Sequence, residues 1–268
     1  MKRIHHYHAD GSALGGIIKL PKSAFVPSQA EVSLAPAGGA TSDKTGPLTF
    51  DDIVSCSGTE THASGSETEA GSWATLVTST VSHLNIRNVL TADQVVAQIS
   101  VEHPREGYTP KVTFVGSQFV NLRIAGVPVK VIINDKILSL ATEYPPVPWT
   151  RNSEFHETIR EQRRKVAAKG ATPDWAGHLL TNDDPLDGFD ERGYFVCSLV
   201  DSISIDGKIP GETCGHLVKV PDVGTFIFGQ LAVDHGSFRL VMVRAELGSP
   251  VTGAITAAAS RTNGSGMP

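Results

Sequence analysis

The sequence predicts a mainly β protein, an antiparallel β-sandwich or an open barrel with one inserted helix at about residues 153–169. Apolar residues recur with period two over most of the chain, which is the spacing of half-buried strands. Glycine and proline, 26 and 16 of the 268 residues, supply turns between such strands. Only the stretch from Ser153 to Gly170 has the spacing and the end residues of a helix. A β scaffold often carries what is specific to its function in such an insertion.

Composition and charge restrict the class of protein. A chain of 268 residues, 40% of them hydrophobic, can bury a full core, which argues against disorder. The net charge of −5 gives no general attraction to nucleic acid, and no nucleic-acid partner is expected. No apolar run is long enough for a transmembrane helix. No signal peptide is visible, so a cytoplasmic location is expected unless a leader has been removed.

The three cysteines, Cys56, Cys197 and Cys214, have no CxxC spacing. This pattern argues against zinc ribbons, redox dithiols and a dense disulfide framework. Two interpretations stay open. A single disulfide could join Cys197 to Cys214 across a hairpin, or all three could be free buried thiols in a reducing compartment.

The chain up to residue 143 is predicted to consist of strands. Pro21 and Pro27 break the apolar runs of residues 17–34 into short strands near a sheet edge, because proline cannot donate to a central ladder. The polar stretch 59–70 is expected to be a mobile loop or an exposed hairpin. The strongest β block is 73–133, where β-branched residues alternate along successive strands.

The predicted helix belongs to an insertion spanning residues 144–193. Ser153 is the expected N-cap, and Phe155, Ile159 and Val166 form a narrow apolar stripe. Basic residues cover the rest of the helix: Arg160, Arg163, Arg164, Lys165 and Lys169. An irregular acidic loop follows, and pairing of its carboxylates with the basic helix is favoured over nucleic-acid binding.

Strands resume at residue 194, and a hairpin is predicted between residues 226–233 and 238–247. The expected organisation is one β body formed by residues 1–143 and 194–260, the insertion at 144–193, and a flexible tail at 261–268. Two domains joined near Trp149 are the alternative.

Signature motifs of several large enzyme classes are absent from the chain. There is no G-x-S-x-G, no H-E-x-x-H, no P-loop and no G-x-G-x-x-G that opens a helix. His156 and Glu157 begin a zincin-like pattern, but Arg160 stands where the second histidine would be required. These absences favour a non-enzymatic protein without excluding an unfamiliar active site.

Histidines near the amino terminus are the best candidates for chemistry. In a strand, His6 and His8 project from one face about 7 Å apart, which permits chelation of one divalent metal. Asp10 continues that face and is the candidate third ligand. A solvated edge strand explains the cluster equally well. The other histidines, His103 among them, lie at predicted strand ends or turns, and nothing in the sequence places them near His6.

The insertion carries the candidate residues for a small ligand. Trp149 and Trp175 bracket the helix and could line a cleft together with Arg160 and Arg164, although such aromatic residues more often pin an insertion to its scaffold. The loop at 182–191 concentrates oxygen ligands around a glycine, as calcium sites do. Pro185 breaks the spacing that an EF-hand loop needs.

Part of the strong β block resembles a known family. The following residues match short motifs of the bacterial choice-of-anchor proteins, particularly the P group: Leu90, Thr91, Ala92, Asp93, Val95, Phe119, Leu122, Ile124, Gly126 and Val129. The resemblance covers about residues 73–133 and implies β architecture and bacterial origin. That family is largely uncharacterised and defined by exported domains, so it supplies no catalytic residues. The lack of a visible signal peptide and sorting tail departs from its pattern.

These patterns together predict a non-enzymatic β domain for binding or self-assembly, homo-oligomeric through exposed edge strands. One alternative is a metal-dependent enzyme or metalloprotein that uses the amino-terminal histidines. Another is a small-molecule-binding protein with a pocket between the insertion and the β body.

Overall fold

A computed structural model describes residues 4–105, 110–135, 137–138, 152–167, 172–180, 194–234 and 237–267. The amino-terminal part contains thirteen strands in the described residues: β1 (Ile4–Leu20), β2 (Ala24–Gln29), β3 (Val32–Ser33), β4 (Gly39–Thr45), β5 (Leu48–Phe50), β6 (Val54–Cys56), β7 (Gly58–Glu67), β8 (Trp73–Ile86), β9 (Leu90–His103), β10 (Lys111–Thr113), β11 (Gln118–Val120), β12 (Arg123–Ile124) and β13 (Val127–Ile133). Two helices and seven strands follow: α1 (Ser153–Ala167), α2 (Asp174–Leu180), β14 (Tyr194–Ser198), β15 (Val200–Ile205), β16 (Glu212–Cys214), β17 (Leu217–Val220), β18 (Gly224–Asp234), β19 (Ser237–Leu247) and β20 (Thr252–Met267).

The strands form two antiparallel sheets that do not close into a barrel. The first sheet has the order β16-β17-β18-β19-β20-β1-β2, with β14 paired to β18 and β3 paired to β1. The second sheet has the order β15-β13-β12-β9-β8-β6-β5, with β10 and β11 paired to β9 and β7 joining β4 to β8. The mainly β prediction is confirmed, and the sandwich is the form adopted, since neither sheet closes on itself.

The polar stretch at 59–70 is mostly strand. β7 pairs with β8 from Gly58–Ser82 to Glu67–Trp73, and its other edge pairs with β4. Its inward residues Thr59, Thr61 and Ala63 are buried while alternate residues face solvent. Small polar side chains can therefore occupy a strand here because only one face of it is covered.

One large hydrophobic cluster holds the two sheets together. It joins residues of the early strands, such as Leu14 and Ile99, to residues of the late strands, such as Phe228 and Val243. Residues from both sides of the insertion thus share one core. Cys56, Cys197 and Cys214 are buried and none of the three forms a disulfide, so the pairing of Cys197 with Cys214 is not adopted.

Helix α1 is largely as predicted from the sequence, and α2 is a second helix that the sequence pattern did not indicate. Phe155 and Ile159 are buried in the main core. The N-cap is Asn152 rather than Ser153, because the Asn152 side-chain oxygen accepts a 2.8 Å hydrogen bond from the Phe155 amide. Gln162 donates to the carbonyl oxygens of Ser198 and Val200, where the chain crosses from one sheet to the other.

The end of the chain differs from the expected flexible tail. β20 continues to Met267 and pairs residue by residue with β1, ending at the pair of Met267 with Ile4. A small, polar segment forms a strand here because β1 supplies its hydrogen-bond partners. Among the described residues, no helix combines the length and hydrophobicity needed to cross a bilayer.

Candidate functional site

Four aromatic side chains meet between the sheets at the end where β1 begins. The His5 ring stacks on Trp73 with 4.9 Å between ring centroids and an interplanar angle of 4°. Tyr7 meets the same imidazole edge-on at 4.8 Å, and the His103 ring lies 5.1 Å from it at 47°. We call His5, Tyr7, Trp73 and His103 the imidazole cluster.

Strand geometry brings these residues together. Alternation along β1 turns His5 and Tyr7 inward and leaves His6 and His8 exposed on the outer face. Trp73 and His103 are direct cross-strand partners at the open end of the β8–β9 hairpin. Packing of the first sheet on the second then places His5 against both of them.

The two imidazoles of the cluster are held in the neutral form. Burial, and secondarily the nearby His5, lowers the pKa of His103 to about 4. Burial, followed by the influence of His6, also lowers the pKa of His5. Both ring nitrogens of His5 and Nε2 of His103 are buried without a hydrogen-bond partner. Each buried polar atom without a hydrogen-bond partner lowers the stability of the folded state by about 1–3 kcal/mol, so these three atoms destabilise the fold.

Hydrogen bonds fix the chain segments around the imidazole cluster. The Ser72 hydroxyl donates to Glu102, the residue before His103. Arg105 donates to the Gly71 carbonyl and pairs with Glu67. These contacts tie the β7–β8 connection to the end of β9 and hold Trp73 beside His103.

The predicted metal ligands lie on the opposite face of β1 from the imidazole cluster. His6 and His8 are exposed, and His8 Nδ1 lies 3.6 Å from Asp10 Oδ2. Across the described part of the chain, no group of three or more His, Cys, Asp or Glu side chains is arranged to hold a metal ion. A metal site at His6, His8 and Asp10 therefore stays a prediction, with His8 and Asp10 as its adjacent pair.

The described candidate residues of the insertion contact the protein itself. Arg160 and Arg164 both pair with Glu157, at 3.5 and 2.9 Å, within α1. Trp175 donates a 2.7 Å hydrogen bond from Nε1 to Glu212, and Lys219 Nζ lies 5.7 Å from its ring centroid. Trp175 thus anchors α2 to β16 and β17, and a role for it in ligand binding stays a prediction.

Several predictions concern residues outside the described ranges. Trp149, the candidate calcium loop at 182–191 and the pairing of that loop with the basic helix all belong to this group. These predictions are therefore untested.

Two other features lie on the surface of the second sheet. The Ser57 hydroxyl is 2.9 Å from Nδ1 of His83, and both residues are exposed. A shallow groove of about 360 Å³ crosses the outer face of β4, β7 and β8, with His62 and Leu76 in its lining. Neither feature has the enclosed character of the imidazole cluster.

His5, Trp73 and His103 were not among the residues predicted from the sequence. The alternation of β1 already separates His5 from His6, and His103 continues the alternation that makes Val101 and Ile99 face inward. A sequence signal for an inward orientation therefore existed for each histidine. Their proximity depends on how one sheet is stacked on the other.

Comparison with known proteins identifies the family. The profile described as "Domain of unknown function (DUF8256)" matches residues 5–234, which is most of the chain. The protein is a β-sandwich that belongs to this family; the match includes the second sheet and the insertion, and it ends before β19 and β20 of the first sheet. No curated protein and no solved structure matches the chain.

Proposed function

We propose that the protein is a non-enzymatic binding module of bacterial origin that self-associates through the exposed edge of its first sheet. The observation that carries this proposal is an apolar pair on that edge. Phe25 is 63% exposed and Ile17 is 51% exposed, and the two are direct cross-strand partners on β2 and β1. Leu20, 53% exposed, lies at the turn between the same strands. We call Ile17, Leu20 and Phe25 the edge patch.

The occupant of the edge patch in this proposal is a second copy of the chain. β2 ends the first sheet, so its outer edge has backbone groups available for pairing. Antiparallel pairing of β2 with the same strand of a two-fold-related copy would set the two Phe25 side chains next to each other. The apolar row would then continue from one Ile17 to the other across the new sheet.

The same edge limits the strength of the contact. The register of β2 against β1 shifts between Val26 and Gln29, and Pro27 lies within this irregular part. Proline cannot donate to a ladder, so pairing would be restricted to Ala24, Phe25 and Val26. The edge patch also offers only a fraction of the roughly 800 Å² per partner that stable interfaces bury. The expected self-association is therefore weak and concentration-dependent.

Sedimentation velocity over a wide range of protein concentration tests the proposal. Wild-type protein should shift from monomer to dimer as concentration rises, and Phe25→Glu should remain monomeric because two carboxylates would face each other across the two-fold axis. Val115→Glu is the matched control, since Val115 is 61% exposed and lies away from β2. A wild-type protein that stays monomeric at every concentration, or a dimer unaffected by Phe25→Glu, would contradict the proposal.

The main rival is a metalloprotein that uses the outer histidines. The contact between His8 and Asp10 favours it, because a carboxylate beside an imidazole is a common part of metal sites. Metal analysis of protein without an affinity tag, purified without nickel resin, distinguishes the two functions. Stoichiometric metal that is lost in His6→Ala and His8→Ala would establish the rival. A pocket between the insertion and the β body, and the cytoplasmic location, remain predictions from the sequence.

A further inference from the structure

The first residues of β1 and the last residues of β20 form a two-stranded ribbon at one end of the first sheet. Residues 4–6 pair with residues 265–267, and we call these two segments the ribbon. Its neighbours in the sheet stop short of it, because β19 begins opposite Asn263 and the last contact on the other side is the 3.0 Å hydrogen bond from the Tyr7 amide to the Pro36 carbonyl. In the described residues no third strand flanks the ribbon. Two paired strands alone are marginally stable in water, so the ribbon depends on its contact with the second sheet.

The ring of His5 makes that contact. It stacks on Trp73 of β8 at 4.9 Å and lies 5.1 Å from the ring of His103 on β9. Two side chains of the ribbon have described surroundings: His5 is 8% exposed, whereas His6 lies on the outer face. The ribbon is therefore docked on the second sheet through neutral aromatic rings, two of which are imidazoles.

We propose that the ribbon is an acid-released strap: a proton taken up by His103 breaks the contact between the His103 and His5 rings and frees the ribbon from the second sheet. This inference goes beyond the proposed self-association and does not depend on it.

A proton on His103 would have no counter-charge. The titratable and charged groups around it come from β1, β7, β9, the chain after β9 and β10, while β8 contributes the uncharged Trp73: His5, His6, Tyr7, Glu67, Glu102, Arg105 and Lys111. Both carboxylates have other partners, since Glu67 pairs with Arg105 and Glu102 accepts from Ser72. Among the described residues no carboxylate lies within ion-pair distance of His103. Since Nε2 of His103 is buried without a hydrogen-bond partner, a charge on this ring is costly until the ribbon moves away.

The sign of the effect follows from proton linkage. In the docked form, burial and secondarily His5 lower the pKa of His103 to about 4, whereas a solvated imidazole has a pKa of 6.5. As the pH falls, the released form binds the proton first. Docking is therefore fully retained above pH 6.5 and weakens as the pH falls from 6.5 towards 4. With these two pKa values, the equilibrium constant for release should be about 30-fold higher at pH 5 than at pH 8.

Hydrogen–deuterium exchange of the full chain between pH 8 and pH 5, corrected for the intrinsic pH dependence of amide exchange, tests the proposal. In the wild type, the opening constant of the ribbon amides should rise by about 30-fold or more, because a released ribbon loses its backbone hydrogen bonds. His103→Phe keeps a ring at this position and cannot bind a proton, so its rise should be about 30-fold smaller. His103→Gln, which keeps a polar side chain without titrating in this range, should behave in the same way.

The matched control is His216→Gln, which removes a buried imidazole from another part of the protein and should leave the rise at the ribbon unchanged. Ribbon amides that are already unprotected at pH 8, or whose opening constant does not change with pH, would overturn the proposal. An unchanged rise in both His103 variants would overturn it as well. So would equal opening constants at every pH for the ribbon and for the paired residues Val77 and Ile99 of β8 and β9, because release would then be global unfolding.

Discussion

The space between the two sheets has two unlike ends. At the end where β1 begins, it is filled by the imidazole cluster, which packs polar rings against one another. At the other end it is filled by apolar side chains, where Phe119 meets Phe228 edge-on at 5.7 Å and Phe155 of α1 is fully buried. The apolar end supplies hydrophobic stabilisation, whereas the imidazole end holds groups with unsatisfied nitrogens.

A layer of small residues separates these two ends. Gly11 on β1 faces Thr61 and Ser79, and Ser79 donates a 2.9 Å hydrogen bond to the Ala259 carbonyl of the opposite sheet. Ser260 Oγ lies 3.2 Å from Ser79 Oγ. Close approach of the sheets here requires side chains of minimal volume. The apolar side chains and the buried imidazoles thus occupy separate parts of one interior.

The largest expected effect is at the apolar end. Phe228→Ala should lower the free energy of unfolding by about 3–5 kcal/mol, because it removes a fully buried ring and leaves a cavity. Urea denaturation at pH 7 measures this change. Phe25→Ala, at a side chain that is 63% exposed, should change stability far less. Equal losses in the two variants would contradict the assignment of the core to this end.

A second prediction concerns the effect of His216, near the apolar end, on how stability changes with pH. Burial lowers the pKa of His216 to about 4, and its carbonyl accepts a hydrogen bond from the Phe228 amide. As the pH falls, the unfolded chain binds a proton at this imidazole before the folded protein does. The contribution of His216 to the free energy of unfolding is therefore complete above pH 6.5 and is lost as the pH falls from 6.5 towards 4. The loss amounts to about 3 kcal/mol at about 1.4 kcal/mol per pKa unit.

Urea denaturation between pH 7 and pH 4 measures this effect as a difference between proteins. His216→Gln should show a shallower loss of stability than the wild type over this range. Phe25→Ala provides the control, because it alters an exposed side chain that carries no titratable group, and it should keep the wild-type slope. Parallel curves for wild type and His216→Gln would show that this imidazole does not titrate with folding.

The smallest expected effect concerns the layer between the two ends. A Cβ atom on Gly11 would lie 2.5 Å from Thr61 Cγ2 and 3.0 Å from Val77 Cγ1, so Gly11→Ala should force the sheets apart. The expected cost is about 1–3 kcal/mol in unfolding free energy, as for other overpacked interiors. Gly46→Ala is the control, since nothing lies within 4 Å of its added Cβ. A neutral Gly11→Ala would mean that the sheets are not in close contact at this layer.

Helix α1 shows how much of the local structure could be predicted from the sequence pattern. Its start at Ser153 and its buried residues Phe155 and Ile159 follow from spacing that one segment contains by itself. The cap was assigned one residue late, because Asn152 and Ser153 are both good N-caps and only the backbone decides between them. Within the helix, Arg160 and Arg164 pair with Glu157, one turn and two turns away, which the i, i+3 and i, i+7 spacing of the sequence already permits.

The sequence by itself determined the mainly β class, the long strands from 73 to 103 and the existence of the helix, because these depend on periodicity along the chain. It left a sandwich and an open barrel as alternatives, and only the structure showed two sheets that do not close. The tertiary structure decided which residues meet between the sheets. It brought His5 to Trp73 and His103, and it made the last residues a strand by giving them β1 as a partner. The physical reason is that strand alternation fixes the face on which a side chain lies. Only the stacking of one sheet on another fixes what that side chain contacts.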